Sequence, residues 1–299
     1  MEEWDEIKRG VNVYHYYFTI IILFVFILIN YYSRDFKVEA LNITFMISVV
    51  TFLFGFLMNT NFSFLTKKVH SLKEGLARET ANLISMYFFS KKLGEKFHQE
   101  IVELIDNYTI YTLRNFKHYE EGRPFIYKMY ETLDLAEVNS DHKKSSFSGF
   151  VSSLNSLEET REELEYLTSS KLEISLKVAY YLLGCILIIL LFLNRGDTFT
   201  NLLFIILSTC IIFIFLIIED YDDLKIGDYS ANISNSEQIF DLIGKTRYYP
   251  QEVLSKVSLE KGKKYRIGIY DSKEKKEKIF EIIYGKNKEK KVKKSTDNK

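Results

Sequence analysis

Long apolar runs alternate with charged stretches along this chain. Four runs carry almost no charge: residues 11–32, 40–65, 178–193 and 202–218. A helix of about 20 residues spans the hydrocarbon core of a bilayer, and each run reaches that length once its polar edges are included. The pattern predicts four transmembrane helices, and the last two form a hairpin around the polar segment 194–201.

The segment between the second and third runs has the periodicity of amphipathic helices. Leu72, Leu76 and Leu83 lie on one face of a helix that continues from the second span. A second apolar stripe, over residues 154–164, leads into the third span. We predict that these two helices form a stalk next to the membrane.

Shorter features divide the rest of the chain. Gly94 is expected to break the helices of the stalk region, and the polar stretch 139–149 is predicted to be a loop. After the fourth run we expect a short helix within residues 234–250, a strand at 265–270, an amphipathic helix at 272–284 and a disordered Lys-rich end at 286–299.

Together these elements predict an all-α integral membrane protein with four transmembrane helices, two of which extend into a cytoplasmic helical stalk. The predicted divisions are residues 1–65 with the first two spans, 66–175 as a cytoplasmic insert, 176–228 as the hairpin with an acidic turn, and 229–299 as a cytoplasmic C-terminal region. Seven Lys and Arg residues flank the spans on the side of the termini and the insert, against three on the other side. By the positive-inside rule we expect both termini and the insert in the cytoplasm, with the chain in the cell membrane.

Composition narrows the classes of function. Lys plus Arg and Asp plus Glu both total 40, so no overall charge favours a nucleic-acid partner. Residues 256–299 carry 16 basic and 7 acidic side chains, a net charge of +9, which suits either a solvated tail or contact with anionic lipid. The sequence contains no phosphate-binding glycine loop, hydrolase elbow or paired histidines at metal-binding spacing. We therefore expect neither catalytic residues nor a cofactor.

Two charges interrupt the apolar stripes of the stalk. Glu79 falls in the stripe that follows the second span, and Arg161 falls in the stripe that precedes the third. At ~1.5 Å per residue, each lies roughly 21–23 Å from its span, so antiparallel helices bring them to the same height. Because an unpaired buried charge is costly, we predict an ion pair between Glu79 and Arg161. The pair either fixes the register of the stalk or forms a gate or ion-contact site.

A cluster of acidic residues follows the fourth span. Asp220, Asp222 and Asp223 are candidate ligands for a hard cation such as Ca²⁺, which prefers carboxylate and carbonyl oxygens. Their spacing is not that of an EF-hand. The alternatives are a solvated acidic boundary or ion pairs with Lys177 and Lys225.

The order of these motifs resembles a known family. The helix after the second span reads Leu-Ala-Arg-Glu-Thr-Ala-Asn-Leu over residues 76–83, and the turn after the fourth span contains Asp222 and Gly227. This arrangement resembles the bestrophin-like family of prokaryotic four-span membrane proteins, over roughly residues 10–250. Three positions depart from the usual residues of the family motifs: Thr80, Leu224 and Lys225.

The resemblance implies a function as well as a fold. Bestrophins are pentameric anion channels in which the second span lines the pore, and some hold a cation in an acidic clasp after the fourth span. On this resemblance Phe52, Phe56 and Asn59 are candidate pore residues, and residues 220–223 are a candidate clasp. We predict a homo-oligomeric channel-like protein for small anions in the lipid bilayer. The alternative is a non-conducting scaffold or sensor that recruits a cytoplasmic partner through its stalk and basic tail.

Overall fold

The computed structural model describes residues 13–33, 42–114, 122–224, 228–271 and 276–285. The predictions for Lys225, for the flanking charges at residues 8–9 and 34–37, and for the Lys-rich end at 286–299 lie outside the described residues.

The described chain is mainly helical. In chain order the elements are α1 (Val13–Tyr32), α2 (Ile43–Ser90), α3 (Glu95–Arg114), α4 (Arg123–Glu131), α5 (Asp141–Ser169), α6 (Ile174–Leu193), α7 (Thr198–Asp222), α8 (Asp228–Ile243), β1 (Tyr248–Pro250), β2 (Lys264–Asp271) and β3 (Lys276–Ile283). Short 3₁₀ helices occupy Thr132–Leu135 and Gln251–Lys256. The chain divides into two compact units: an apolar unit of residues 1–70 and 170–227, and a helix–sheet unit of residues 71–169 and 228–299.

Three described helical stretches are long and apolar enough to cross a membrane. They are α2, the stretch Asp141–Leu193 that contains α6, and α7. They coincide with the predicted second, third and fourth spans. The described apolar part of α1, Tyr17–Tyr32, is shorter. The count of four spans therefore stays a prediction.

Aromatic side chains join the helices of the apolar unit. The rings of Phe26 on α1 and Phe204 on α7 meet edge to face, with centroids 5.5 Å apart. Phe54 on α2 meets Phe215 on α7 at 6.2 Å. Phe215 also covers Gly184 on α6, where an added Cβ would lie 2.2 Å from the ring. Helix α7 is thus the element against which the other three pack.

The helix–sheet unit has a closed apolar core. Fully buried members come from four of its elements: Phe97, Tyr108, Phe150, Phe240 and Tyr248. The strands lie in the order β1-β2-β3, with β1 parallel to β2 and β2 antiparallel to β3. The sheet and the surrounding helices therefore share one core.

A largely buried ion pair joins this sheet to α3. Arg266 on β2 donates to both carboxylate oxygens of Asp106, at 2.6 and 2.7 Å. Its Nε donates to the carbonyl oxygen of Thr246 at 2.7 Å, and its guanidinium lies 5.1 Å from the ring centre of Phe240. The pair fixes the position of β2 against the helix.

The sheet corrects two predictions. The predicted all-α fold class is wrong for the C-terminal segment, which contains a three-stranded sheet. The strand predicted at 265–270 is confirmed as β2, which lies between β1 and β3. The amphipathic helix predicted at 272–284 is wrong, because residues 276–283 form β3. Apolar residues at 279, 280, 282 and 283 fit either a helix face or a strand, and pairing with β2 along its full length decides between them.

The loop predicted at 139–149 is also wrong, because α5 begins at Asp141. A carboxylate in the first turn interacts favourably with the positive end of a helix. The Ser140 hydroxyl accepts a hydrogen bond from the backbone N–H of Lys143 at 3.4 Å. The predicted break at Gly94 is confirmed: it lies between α2 and α3 with a φ of +112°.

Candidate functional site

Helix α2 has two distinct faces within the apolar unit. Its buried face repeats every three or four residues: Phe54, Met58, Asn61, Leu65 and Lys68. The predicted pore residues lie on the other side, where Phe52 is 73% exposed, Phe56 is 68% exposed, and Asn59 is also exposed. Steps of four and three residues place these three side chains on one face of the helix.

This exposed face of α2 is uncharged over several turns. Phe45, Met46 and Val49 extend it towards the helix N-terminus. Gly55 leaves it open, since an added Cβ there would meet no atom within 4 Å. Such a face can contact lipid, pack against another copy of the chain, or line an apolar constriction of a pore.

The second predicted site lies in the helix–sheet unit. Glu79 on α2 and Arg161 on α5 are both buried, and both contact the hydroxyl of Tyr108 on α3. The hydroxyl donates a hydrogen bond to Oε1 of Glu79 and accepts one from Nη1 of Arg161 at 3.3 Å. The two charges are therefore linked through a tyrosine, and their direct ion pair stays a prediction.

Glycines bring the backbone close to this network. A Cβ added to Gly75, one turn before Glu79, would lie 2.7 Å from Cδ2 of Leu164 on α5. A Cβ added to Gly122 would lie 2.5 Å from Nη1 of Arg161. Helices α2 and α5 therefore approach closely at the height of the buried charges.

Burial sets the proton affinity of the network. Loss of solvent raises the pKa of the Glu79 carboxyl from 4.5 to about 7, although Tyr108 and Arg161 both act in the opposite direction. Burial also raises the pKa of the Tyr108 hydroxyl well above 10, so that it keeps its proton. Glu79 lies 14 residues beyond Leu65, outside the apolar run of the second span. Its charge state therefore changes near neutral pH.

The acidic residues at the end of α7 contact lysines of the apolar unit. Nζ of Lys177 on α6 lies 2.7 Å from Oδ2 of Asp222 and 3.0 Å from Oε2 of Glu219. Oδ1 of Asp222 accepts a hydrogen bond from the backbone N–H of Leu172 at 2.7 Å. Lys68 on α2 donates to the carbonyl oxygen of Asp222 at 3.1 Å. Asp222 is thus held by three other segments of the unit.

The other two candidate cation ligands have different surroundings. Asp223 forms an ion pair with Lys171 at 3.3 Å, and Asp220 is buried. Among the residues that the structure describes, no three His, Cys, Asp or Glu side chains converge as a metal-binding group. A cation site at Asp220, Asp222 and Asp223 stays a prediction, and the contact of Asp222 with Lys177 is the one expected of the ion-pair alternative.

The sequence pattern does not single out two residues of these networks, Tyr108 and Lys68. Tyr108 lies in the apolar stripe of α3, where it reads as an ordinary core residue, and only the fold brings its hydroxyl to the two charges. Lys68 reads as a flanking charge of the span. Lys68 follows Leu65 by three residues and precedes Leu72 by four. This helical spacing places it on the same face as the two leucines, so the sequence does contain a signal that Lys68 faces the core.

Comparison with solved structures finds bacterial bestrophin homologues. A bestrophin homologue from Klebsiella pneumoniae superposes with a TM-score of 0.55 at 10% sequence identity, over 78% of this chain and 99% of that chain. A second structure of a bestrophin homologue from the same organism gives 0.56 at 10% identity, with the same coverage. A structure described as a membrane protein gives 0.55 at 11% identity, over 78% and 98% of the two chains.

The comparisons define a membrane protein with a bestrophin-like fold. The predicted resemblance is confirmed, since the likeness spans nearly the whole of each bestrophin homologue. No family model matches the sequence, and no curated protein matches it. At these identities the likeness concerns the fold.

Proposed function

We propose that this protein is the subunit of a homo-oligomeric, channel-like membrane protein for small anions. It would have four spans, supplied by α1, α2, α6 and α7, with both termini and residues 66–175 in the cytoplasm. The exposed face of α2 carries the proposal. Phe52, Phe56 and Asn59 point away from the core of their own subunit, and a ring of subunits can turn them towards a common axis.

The chemistry of this face suits anions better than cations. Residues 43–66 contain no charged side chain, so no carboxylate on this length of α2 repels an anion. The edges of aromatic rings are the positive part of their quadrupole, and an amide NH₂ group donates two hydrogen bonds. Ring edges of Phe52 and Phe56 and the amide of Asn59 can therefore face a partly dehydrated halide.

Halide flux into liposomes that hold the purified full chain tests this proposal, alongside the oligomeric mass in detergent. Phe56→Ala and Asn59→Ala are expected to change the flux several-fold, because they alter the uncharged lining of the proposed pore. Phe24→Ala is the matched control. Phe24 is 60% exposed on α1, so it has similar exposure in the same unit but faces lipid in the proposed arrangement.

The outcomes separate the two candidate functions. Flux that changes in both α2 variants and not in the Phe24 variant supports the channel. A folded oligomer that passes no halide overturns it, and the scaffold or sensor alternative then becomes the hypothesis to test. Potentials measured across a salt gradient show whether the carried ion is the anion.

A further inference from the structure

The buried charges of the helix–sheet unit take no part in the proposed pore. Glu79, Tyr108 and Arg161 come from three different helices, and all three side chains are buried. A network of this kind can serve packing alone. A buried acid that changes its charge near neutral pH can also act as a sensor.

The groups that surround Glu79 and its network come from α2, α3, α4 and α5. Among the described residues, Tyr108 from α3 and Arg161 from α5 are the ionisable groups that act on its carboxyl. From α4, the ring centre of Phe125 lies 6.4 Å from that of Tyr108. On the side of Arg161, Arg123 of α4 and the acids Glu158 and Glu162 of α5 line a cavity together with Arg161. The neighbouring Arg78 of α2 is directed to the surface, where it pairs with Glu163 of α5 at 2.5 Å.

We propose that Glu79 is a proton-sensing site of the helix–sheet unit: it takes up one proton as the surroundings acidify through neutral pH, and this proton tightens the packing of α2 against α3 and α5.

The hydrogen bonds allow both proton states. When Glu79 is ionised, Oε1 accepts from the Tyr108 hydroxyl, which in turn accepts from Arg161. When Glu79 binds a proton from solvent, the neutral carboxyl no longer carries the cost of a buried charge. Its remaining carbonyl oxygen still accepts from Tyr108. The network thus keeps its contacts while its net charge rises by one.

The direction of the effect follows from linkage. The pKa of Glu79 is about 7 in the folded chain and 4.5 when exposed, so the folded unit binds more protons between these values. The stabilisation is fully present below pH 4.5 and is lost as the pH rises through about 7. Local opening that exposes Glu79 should therefore be about tenfold more frequent at pH 8 than at pH 6.

Infrared difference spectra between pH 8 and pH 6 test the proton uptake directly, on the full chain in detergent. We expect a band of a protonated carboxyl that appears on acidification and is missing in Glu79→Gln. Hydrogen exchange of α3 and α5, corrected for intrinsic exchange rates, measures the opening. It should depend on pH in the native chain, and this dependence should be lost in Glu79→Gln.

Two further variants keep the test decisive. Glu163→Gln, an exposed acid on α5, is the matched control and should leave the band unchanged. Tyr108→Phe removes the hydrogen bond that favours the ionised form of Glu79, so it should move the midpoint of Glu79 protonation to higher pH. This variant tests the proposal independently of whether Glu79→Gln folds. A carboxyl band that persists in Glu79→Gln, or a Glu79 that stays ionised throughout, overturns the proposal.

Discussion

The two units of this protein place the same type of side chain in opposite environments. In the apolar unit, Phe52 and Phe199 are 73% and 68% exposed. In the helix–sheet unit, Phe97, Phe150 and Phe240 are completely buried. Large apolar side chains thus lie on the surface of the first unit as well as in its interior, as expected of helices that contact lipid or other helices in a membrane. The second unit gains stability by removing apolar surface from water.

The difference changes what holds each unit together. Between helices in lipid, apolar burial gives little drive, so close packing and polar contacts at the helix ends matter more. Arg195 shows such a contact in the apolar unit. It is buried, donates to Oδ1 of Asn30 at 3.2 Å and to the hydroxyl of Ser33 at 2.9 Å, and lies 3.8 Å from the ring centre of Phe192. This one side chain ties the end of α1 to the α6–α7 turn.

Truncating one phenylalanine in each unit tests this difference most strongly. Phe97→Ala should lower the free energy of unfolding by about 3–5 kcal/mol, because it leaves a cavity in the closed core of the helix–sheet unit. Phe52→Ala should change stability by less than about 0.5 kcal/mol, because its ring contacts little of the rest of the chain. Chemical denaturation of the full chain in detergent measures both. Equal losses would show that the two units do not differ in this way.

How far the sequence predicts this contrast depends on the element. The apolar runs predict α2, α6 and α7, because a run of about twenty apolar residues is typical of a membrane-spanning helix. The helical spacing of Leu72, Leu76 and Leu83 predicts the buried face of α2. The β3 strand could not be predicted, because the stretch around Ile279 satisfies both periods and only β2 selects one. The site divides in the same way. Glu79 and Arg161 stand out as charges in apolar stripes, whereas Tyr108 matters only through its position in the fold.

The second prediction concerns charges in the helix–sheet unit. Asp106→Leu leaves the largely buried Arg266 without its carboxylate and should cost about 3–5 kcal/mol. The double variant Asp106→Leu with Arg266→Met should lose less than the single variant, since the orphaned charge is gone. Thermal unfolding monitored by circular dichroism gives the comparison.

A surface pair of the same unit provides the control for this prediction. Arg78 and Glu163 lie 2.5 Å apart but are about half exposed, so Arg78→Ala should cost no more than about 1 kcal/mol. If it costs as much as Asp106→Leu, burial is not what makes the Asp106–Arg266 pair important.

The third prediction tests packing in the apolar unit. Gly184→Ala places a Cβ 2.2 Å from the Phe215 ring and should destabilise the α6–α7 hairpin by about 1–3 kcal/mol. Gly55→Ala is the matched control, because its Cβ meets no atom within 4 Å and alanine favours a helix. The melting temperature in detergent should fall only for Gly184→Ala. A fall in both variants would point to a property of glycine itself rather than to the contact with Phe215.

The smallest expected effect lies at the start of α7, where a polar cap meets the apolar unit. Oδ1 of Asp197 accepts from the backbone N–H of Thr200 at 2.9 Å, and the Thr200 hydroxyl accepts from the backbone N–H of Asp197 at 3.1 Å. Asp197→Ala should cost about 1 kcal/mol, as at helix N-termini in water, and Asp197→Asn should retain most of that stability. A loss of several kcal/mol, measured by the same denaturation, would mean that the cap lies within the apolar part of the detergent micelle, where an unsatisfied N–H has no water to bind. The size of this one effect therefore reports whether the α6–α7 turn lies inside or outside the apolar layer around the helices.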